Sequence, residues 1–225
     1  KAPSAAMGAA CAGEQQKIEP GKPTLVYFQI AGRGELARLI AVAGGIELDE
    51  TEACDDKQAY GSPGSLPVLS HGNLKMAQSG AIENYLAIIA PRFRSLTPAQ
   101  RAKDQMFACI KEDVLAGCAK VIFGDIGQAE SEVPRVCDKW FTVVEGLLPD
   151  DGFVNGLPFP TVADLAVLNM TTGYMPFGSA MKWGKYEWAD KYPKMKALAD
   201  RAAQSPGVKE FLATTKTTDA DIPGK

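Results

Sequence analysis

The hydrophobic pattern of this chain changes near Pro91. Before it, short apolar runs alternate with one-sided helical stretches; after it, helical periodicity stands alone. Leu25-Val26-Tyr27-Phe28-Gln29-Ile30 is apolar, β-branched and aromatic, which predicts a buried strand. Ala31-Gly32-Arg33-Gly34 then makes a turn. From Glu35, the apolar residues Leu36, Leu39, Ile40 and Ala43 share one helical face, and Gly44-Gly45 ends that helix. Ile46 to Thr51 reads as a second strand parallel to the first, giving a βαβ unit. Residues 52–65 are polar and carry Gly and Pro, the composition of a loop.

Leu66 to Leu69 is a short apolar strand with Pro67 in its second position, where a central strand does not tolerate proline. A turn at His71-Gly72-Asn73 and a short strand at Leu74-Lys75-Met76 follow. Gln78-Ser79-Gly80 opens a helix with Ala81, Ile82, Tyr85, Leu86 and Ile89 as its apolar positions, and Pro91 closes it. Beyond a linker at 92–98, every element is expected to be helical. Thr97-Pro98-Ala99-Gln100 starts a helix carrying Met106, Cys109, Ile110, Val114 and Leu115 on one face. After a break at 124–127, Trp140, Val143, Val144 and Leu147 mark another. Gly152 to Pro160 is a loop, and Thr161-Val162-Ala163-Asp164 is a capping box with Asp in the place of Glu. Trp183 to Trp188 falls in a long connection; helices starting at Tyr192-Pro193 and running over Pro206–Leu212 end the pattern. The predicted fold class is α/β plus all-α. A domain over 22–91 precedes a helical domain over 98–213, with tails at 1–21 and 214–225.

Composition narrows the function classes. With 225 residues, a net charge of −3 and 46% hydrophobic residues, the chain has enough sequence for a sizeable core. It also lacks the basic excess of a nucleic-acid binder. Apolar runs such as Tyr85–Ala90 are too short to span a bilayer. Five cysteines form no C-x-x-C pair and there is one histidine, so no metal site is expected and the thiols are expected to be reduced. The Ala/Ser-rich, acid-poor stretch up to Gly13 has the composition of the trailing end of an organellar transit peptide. The expected location is therefore cytoplasmic, or organellar, for example plastid, after its removal.

The candidate chemistry centres on Leu66 to Gly80. The helix opened by Gln78 and Ser79 presents free backbone N–H groups and a partial positive charge, a seat for a carboxylate or phosphate, and Ser79 adds a hydroxyl. Pro67 is expected to leave the Val68 backbone N–H and C=O facing outward, ready for an extended peptide-like ligand. A peptide edge beside an anion seat points to a small acidic peptide.

These strings, in this order, resemble a cytosolic glutathione transferase. The resemblance runs from about Lys22 to Leu212. It rests on Leu25-Val26-Tyr27-Phe28 with Gly32-Arg33, on Leu66-Pro67-Val68-Leu69 with Gln78-Ser79, and on the helix start Thr161 to Asp164. It implies a thioredoxin-like N-terminal domain followed by an all-helical C-terminal domain, of the tyrosine type and closest to the sigma-like class. Tyr27 then matches the catalytic tyrosine, whose phenol hydrogen-bonds the glutathione sulfur. A thiol with a pKa of roughly 8.5 is mostly protonated at neutral pH, and a donor aimed at sulfur favours the nucleophilic thiolate. Arg33 matches an arginine near the glycine carboxylate, and Lys57 or Gln58 stands nearest the position of a family lysine. Leu66, Pro67 in cis and Val68 match the segment that pairs with the cysteinyl backbone. Gln78 and Ser79 match the residues that hold the γ-glutamyl end. Asp113, with Asp104 and Glu112 as other candidates, matches an acidic residue reaching the partner subunit's ligand. Met106, Phe107, Tyr174, Met175 and Phe177 are candidates for the wall of an apolar second-substrate pocket.

The implied activity joins the glutathione thiolate to a hydrophobic electrophile, with glutathione as cosubstrate, no metal, and a glutathione-dependent isomerase or peroxidase reaction as a side activity. A homodimer is the implied assembly. Two departures from the family pattern point the other way: Ala31 stands where many sigma-like members have an arginine, and no tryptophan lies between Tyr27 and Pro67. They support the alternative of a non-catalytic binding or structural subunit in a larger complex.

Overall fold

The computed structural model describes residues 21–215 and 217. Expectations for residues 1–20, and for the tail at 216 and 218–225, lie outside the described residues. A four-stranded sheet holds β1 (Thr24–Val26), β2 (Asp49–Thr51), β3 (Val68–His71) and β4 (Leu74–Ala77), in the order β2-β1-β3-β4. β1 runs parallel to β2 and antiparallel to β3, and β3 runs antiparallel to β4. Between them lie α1 (Glu35–Gly44) and, after β4, α2 (Ser79–Ile89). α1 is buried around nearly its whole circumference because helices cover it from several sides, as its largely apolar sequence requires.

Three details of the sheet differ from the sequence pattern. The strand expected over Leu25–Ile30 stops at Val26, after which the Tyr27 N–H still reaches the Thr51 carbonyl at 3.0 Å. The Phe28 and Ile30 carbonyls accept instead from the buried guanidinium of Arg38, at 3.0 and 2.8 Å, so that segment needs no ladder partner. β3 begins at Val68, one residue after Pro67, so an interior strand escapes the missing N–H of proline. His71 belongs to β3, and the turn is Gly72-Asn73, with Gly72 at a φ of 57°.

The rest is helical: α3 (Pro98–Phe123), α4 (Ala129–Leu147), α5 (Val162–Thr171), α6 (Phe177–Trp183), α7 (Pro193–Ala203) and α8 (Val208–Thr214). The expected α/β-plus-all-α architecture is the one observed. α5 is buried from Val162 to Met170 and packs on α1, α3, α6 and α7, which makes it the central post of the helical part. The sequence pattern does not predict α6, because Gly178 and the neighbouring Gly173 and Pro176 are poor helix formers. Burial of Phe177, Ala180 and Met181 against α3 and α4 supports it instead. The capping box at Thr97 and Gln100 starts α3 as expected. At α5, Asp164 accepts from the backbone N–H groups of Thr161 and Val154, both at 2.8 Å. Asp104, on α3, accepts from the Thr161 hydroxyl at 2.7 Å, from Asn155 Nδ2 at 2.9 Å and from the Ala163 N–H at 3.0 Å.

Candidate active site

A cleft of about 500 Å³ opens where the first turn of α2 faces α3. Its walls are Arg33, Ser65, Leu66, Pro67, Gln78, Ser79, Gly80, Ala81 and Glu112. The Leu66–Pro67 peptide is cis. Gln78 holds a φ of 74°, a conformation a side chain adopts only where its surroundings impose it, at the point where β4 gives way to α2. Among the described residues, the Gln78 amide, the Ser79 hydroxyl and the terminal amino groups of Arg33 take no hydrogen-bond partner. The first turn of α2 adds backbone N–H groups without intrahelical acceptors. The cleft therefore converges donors suited to carboxylates, and Glu112 is a carboxylate on the same wall, suited to an ammonium.

Behind the Arg33 wall lies Tyr27. The residue is 8% exposed, its ring packs under the Gly32–Gly34 turn, and its hydroxyl accepts from the Arg33 backbone N–H at 3.0 Å. Among the described residues no acceptor takes the hydroxyl proton. Burial holds the phenol pKa above its ordinary value, against the opposing pull of the Arg33 N–H and of the Arg33 and Arg38 guanidiniums. At neutral pH the group is a phenol with its proton to give. Arg38 lies 5.8 Å from the ring centroid and is itself tied to Glu50 at 2.8 Å and Glu35 at 3.2 Å.

The turn over Tyr27 has glycines for a steric reason. A Cβ on Gly34 would stand 2.5 Å from Cδ1 of the ring, and one on Gly32, whose φ is 45°, would overlap the hydroxyl. Gly34→Ala is therefore expected to cost about 1–3 kcal/mol of stability and to displace the phenol. Thermal unfolding and steady-state kinetics check both effects, and a variant with wild-type melting and turnover would contradict them.

The expected site residues divide. Arg33, Leu66, Pro67, Gln78 and Ser79 share the cleft. Val68 is the buried first residue of β3, with register partners Val26 and Ala77 on its two sides, so the outward peptide edge reduces to the end of an interior strand. Lys57 and Gln58 begin a short 3-10 turn outside the cleft lining. Asp113 is exposed on α3 and also outside the lining, whereas its neighbour Glu112 lines it. Asp104 is occupied with capping α5. Phe107, Met175 and Phe177 belong to the core, and Met106 is exposed. The Met175 carbonyl accepts from the Gly32 N–H at 3.0 Å, which fastens the Tyr27 turn to the helical part. Sequence reasoning missed Ser65, Gly80 and Ala81, which carry no distinctive chemistry. It also missed the buried charges Arg38, Lys111 and Glu83, whose partners lie elsewhere in the chain.

Comparison with known proteins finds a resemblance to glutathione S-transferases from several directions. Residues 112–215 match the family model for the glutathione S-transferase C-terminal domain. Glutathione S-transferase alpha-5 of Rattus norvegicus is 27% identical over 206 residues, which cover 86% of this chain and 89% of the relative. A glutathione S-transferase structure from Caenorhabditis elegans superposes with a TM-score of 0.67 at 27% identity, covering 86% of this chain and 98% of the other. A monomeric glutathione S-transferase of the hookworm Necator americanus gives a TM-score of 0.72 at 24% identity, covering 89% of this chain and 100% of the other. Relatives and fold together support a glutathione transferase: the chain resembles the cytosolic enzymes, with a thioredoxin-like sheet domain followed by an all-helical glutathione S-transferase C-terminal domain.

Proposed function

We propose that this chain is a glutathione transferase of the tyrosine type, in which Tyr27 stabilises the thiolate of glutathione for attack on a hydrophobic electrophile. One observation carries the reading: a nearly buried phenol accepts a backbone N–H, keeps its own proton unused among the described residues, and lies behind a cleft of unpaired donors. The accepted N–H makes the hydroxyl a better donor, and low local polarity strengthens the bond it offers to sulfur. In this reading the first turn of α2, Gln78 and Ser79 hold the γ-glutamyl carboxylate, Glu112 the ammonium, and the free amino groups of Arg33 the second carboxylate. Leu66 and Pro67 form the wall along the cysteinyl backbone. Asp113, off this cleft, is assigned to the ligand of a second copy, which makes the functional unit a homodimer. The reading does not turn on class: the rat relative is named alpha, while the strings around Tyr27 resemble the sigma-like group.

The test is a calorimetric titration with glutathione. The expected dissociation constant lies below about 1 mM, or more than about 4 kcal/mol of binding. Ser79→Ala is expected to weaken it about tenfold, the loss of one charge-assisted hydrogen bond. Binding weaker than millimolar in the parent protein, or an unaltered constant in the variant, would contradict the assignment.

A further inference from the structure

Deeper than the Arg33 wall lies a second group of charges with no role in the reading above. Lys111, on α3, has a side chain 1% exposed, and its Nζ sits 2.7 Å from Oε1 of Glu83 on α2, whose side chain is 3% exposed. The same ammonium stands 3.5 Å from Oε2 of Glu112, an oxygen that is buried and has no hydrogen-bond partner. Glu112 gives its other oxygen to Arg33 Nε at 2.8 Å, and the Arg33 backbone N–H donates to the Tyr27 hydroxyl. A chain of contacts thus runs from α2, whose first turn lines one wall of the cleft, through the interior to the turn that covers the phenol.

A buried ion pair is a weak source of stability, because the loss of hydration offsets most of the attraction, and an apolar pair of similar size often serves as well. What Lys111 adds is direction. It is the countercharge on the buried side of Glu112, opposite Arg33. Without it the carboxylate has a cation only on its exposed side and is free to turn toward water, taking Arg33 with it. Small displacements of a donor that must meet a reacting atom are costly to rate.

We propose that Lys111 is a positioning residue for the thiolate site: it fixes Glu112, and through it Arg33 and the N–H over Tyr27, relative to the first turn of α2. The proposal rests on the glutathione reading. Two double variants test it. Glu83→Met with Lys111→Met removes both charges and keeps apolar volume; Glu83→Lys with Lys111→Glu keeps an ion pair but sets a carboxylate against Glu112. For each, the melting temperature, the KM for glutathione, kcat, and the pKa of the bound thiol from its thiolate absorbance are compared with wild type. The methionine pair is expected to melt within a few degrees of wild type, yet to raise KM about fivefold and the bound-thiol pKa by about half a unit. The reversed pair is expected to move both further. Wild-type KM and thiol pKa in whichever double variant folds would make the pair merely structural and overturn the proposal. If instead Tyr27→Phe also leaves the thiol pKa unmoved, the glutathione reading itself falls, and the proposal with it.

Discussion

Replacing Tyr27 by Phe is expected to lower kcat/KM for glutathione conjugation by about a hundredfold at neutral pH, the usual effect of removing one preorganised donor to a developing anion. The fold should stand, because the ring that fills the space under Gly32 and Gly34 is kept. Only the acceptor for the Arg33 N–H is lost, at a cost of about 1 kcal/mol. The loss should appear mainly in kcat, since the hydroxyl acts on sulfur rather than on the carboxylate and ammonium groups that anchor the ligand. It should also shrink toward high pH, where the thiol ionises without help. Steady-state kinetics across pH checks this. A Tyr27→Phe enzyme with wild-type turnover would remove Tyr27 from the mechanism.

The second large effect is on stability. Asp104→Ala is expected to cost about 3–4 kcal/mol, which lowers the melting temperature by about 10 °C for a chain of this size. One oxygen of Asp104 satisfies the Thr161 hydroxyl and the Ala163 N–H at the start of the buried central helix α5, and the Asn155 amide in the loop before it. Cutting it away strands the buried Ala163 N–H and leaves the Thr161 hydroxyl with only the longer bond to Asp164, at 3.3 Å, and the Asn155 amide with Thr161 Oγ1, at 3.0 Å. Asp164 supports the same helix start, and burial raises its carboxyl to about 6 against the pull of the Val154 and Thr161 N–H groups. The sign follows from linkage. A folded-state pKa above the unfolded value of roughly 3.9 means that folding takes up a proton. The associated stability is complete below about pH 4 and is lost as pH rises through about 6. The destabilisation caused by Asp164→Ala should therefore be about 1.4 kcal/mol smaller at pH 8 than at pH 5. Denaturant unfolding of both proteins at the two pH values measures it; a difference that grows with pH would contradict the assignment.

What the sequence made legible was what local pattern encodes. α1 and α2 follow from apolar spacing, α3 from Thr97 and Gln100, and α5 from Thr161 and Asp164, because each signal lies within one element. Half of the cleft was legible for the same reason: Leu66, Pro67, Gln78 and Ser79 are close in sequence, and a helix N-terminus is an anion seat wherever it occurs. The other half depends on contacts between distant residues. Arg33 meets Glu112 across 79 positions and Lys111 meets Glu83 across 28. Nothing local marks Glu112 rather than Asp113 as the residue facing the cleft: they are adjacent acids on one helix, and the rotation of α3 against α2 decides between them. β1 ends early for a similar reason, since Arg38 takes the Phe28 and Ile30 carbonyls that a longer strand would have given to the ladder.

The claim that Tyr27 acidifies glutathione is tested most directly by titrating the bound thiol itself, following thiolate absorbance in the wild-type complex and in the Tyr27→Phe complex. The predicted result is a bound thiol at least about one pKa unit more acidic than free glutathione in the wild type, returning toward the free value of roughly 8.5–9 in the variant. The same pKa in both complexes would contradict the account.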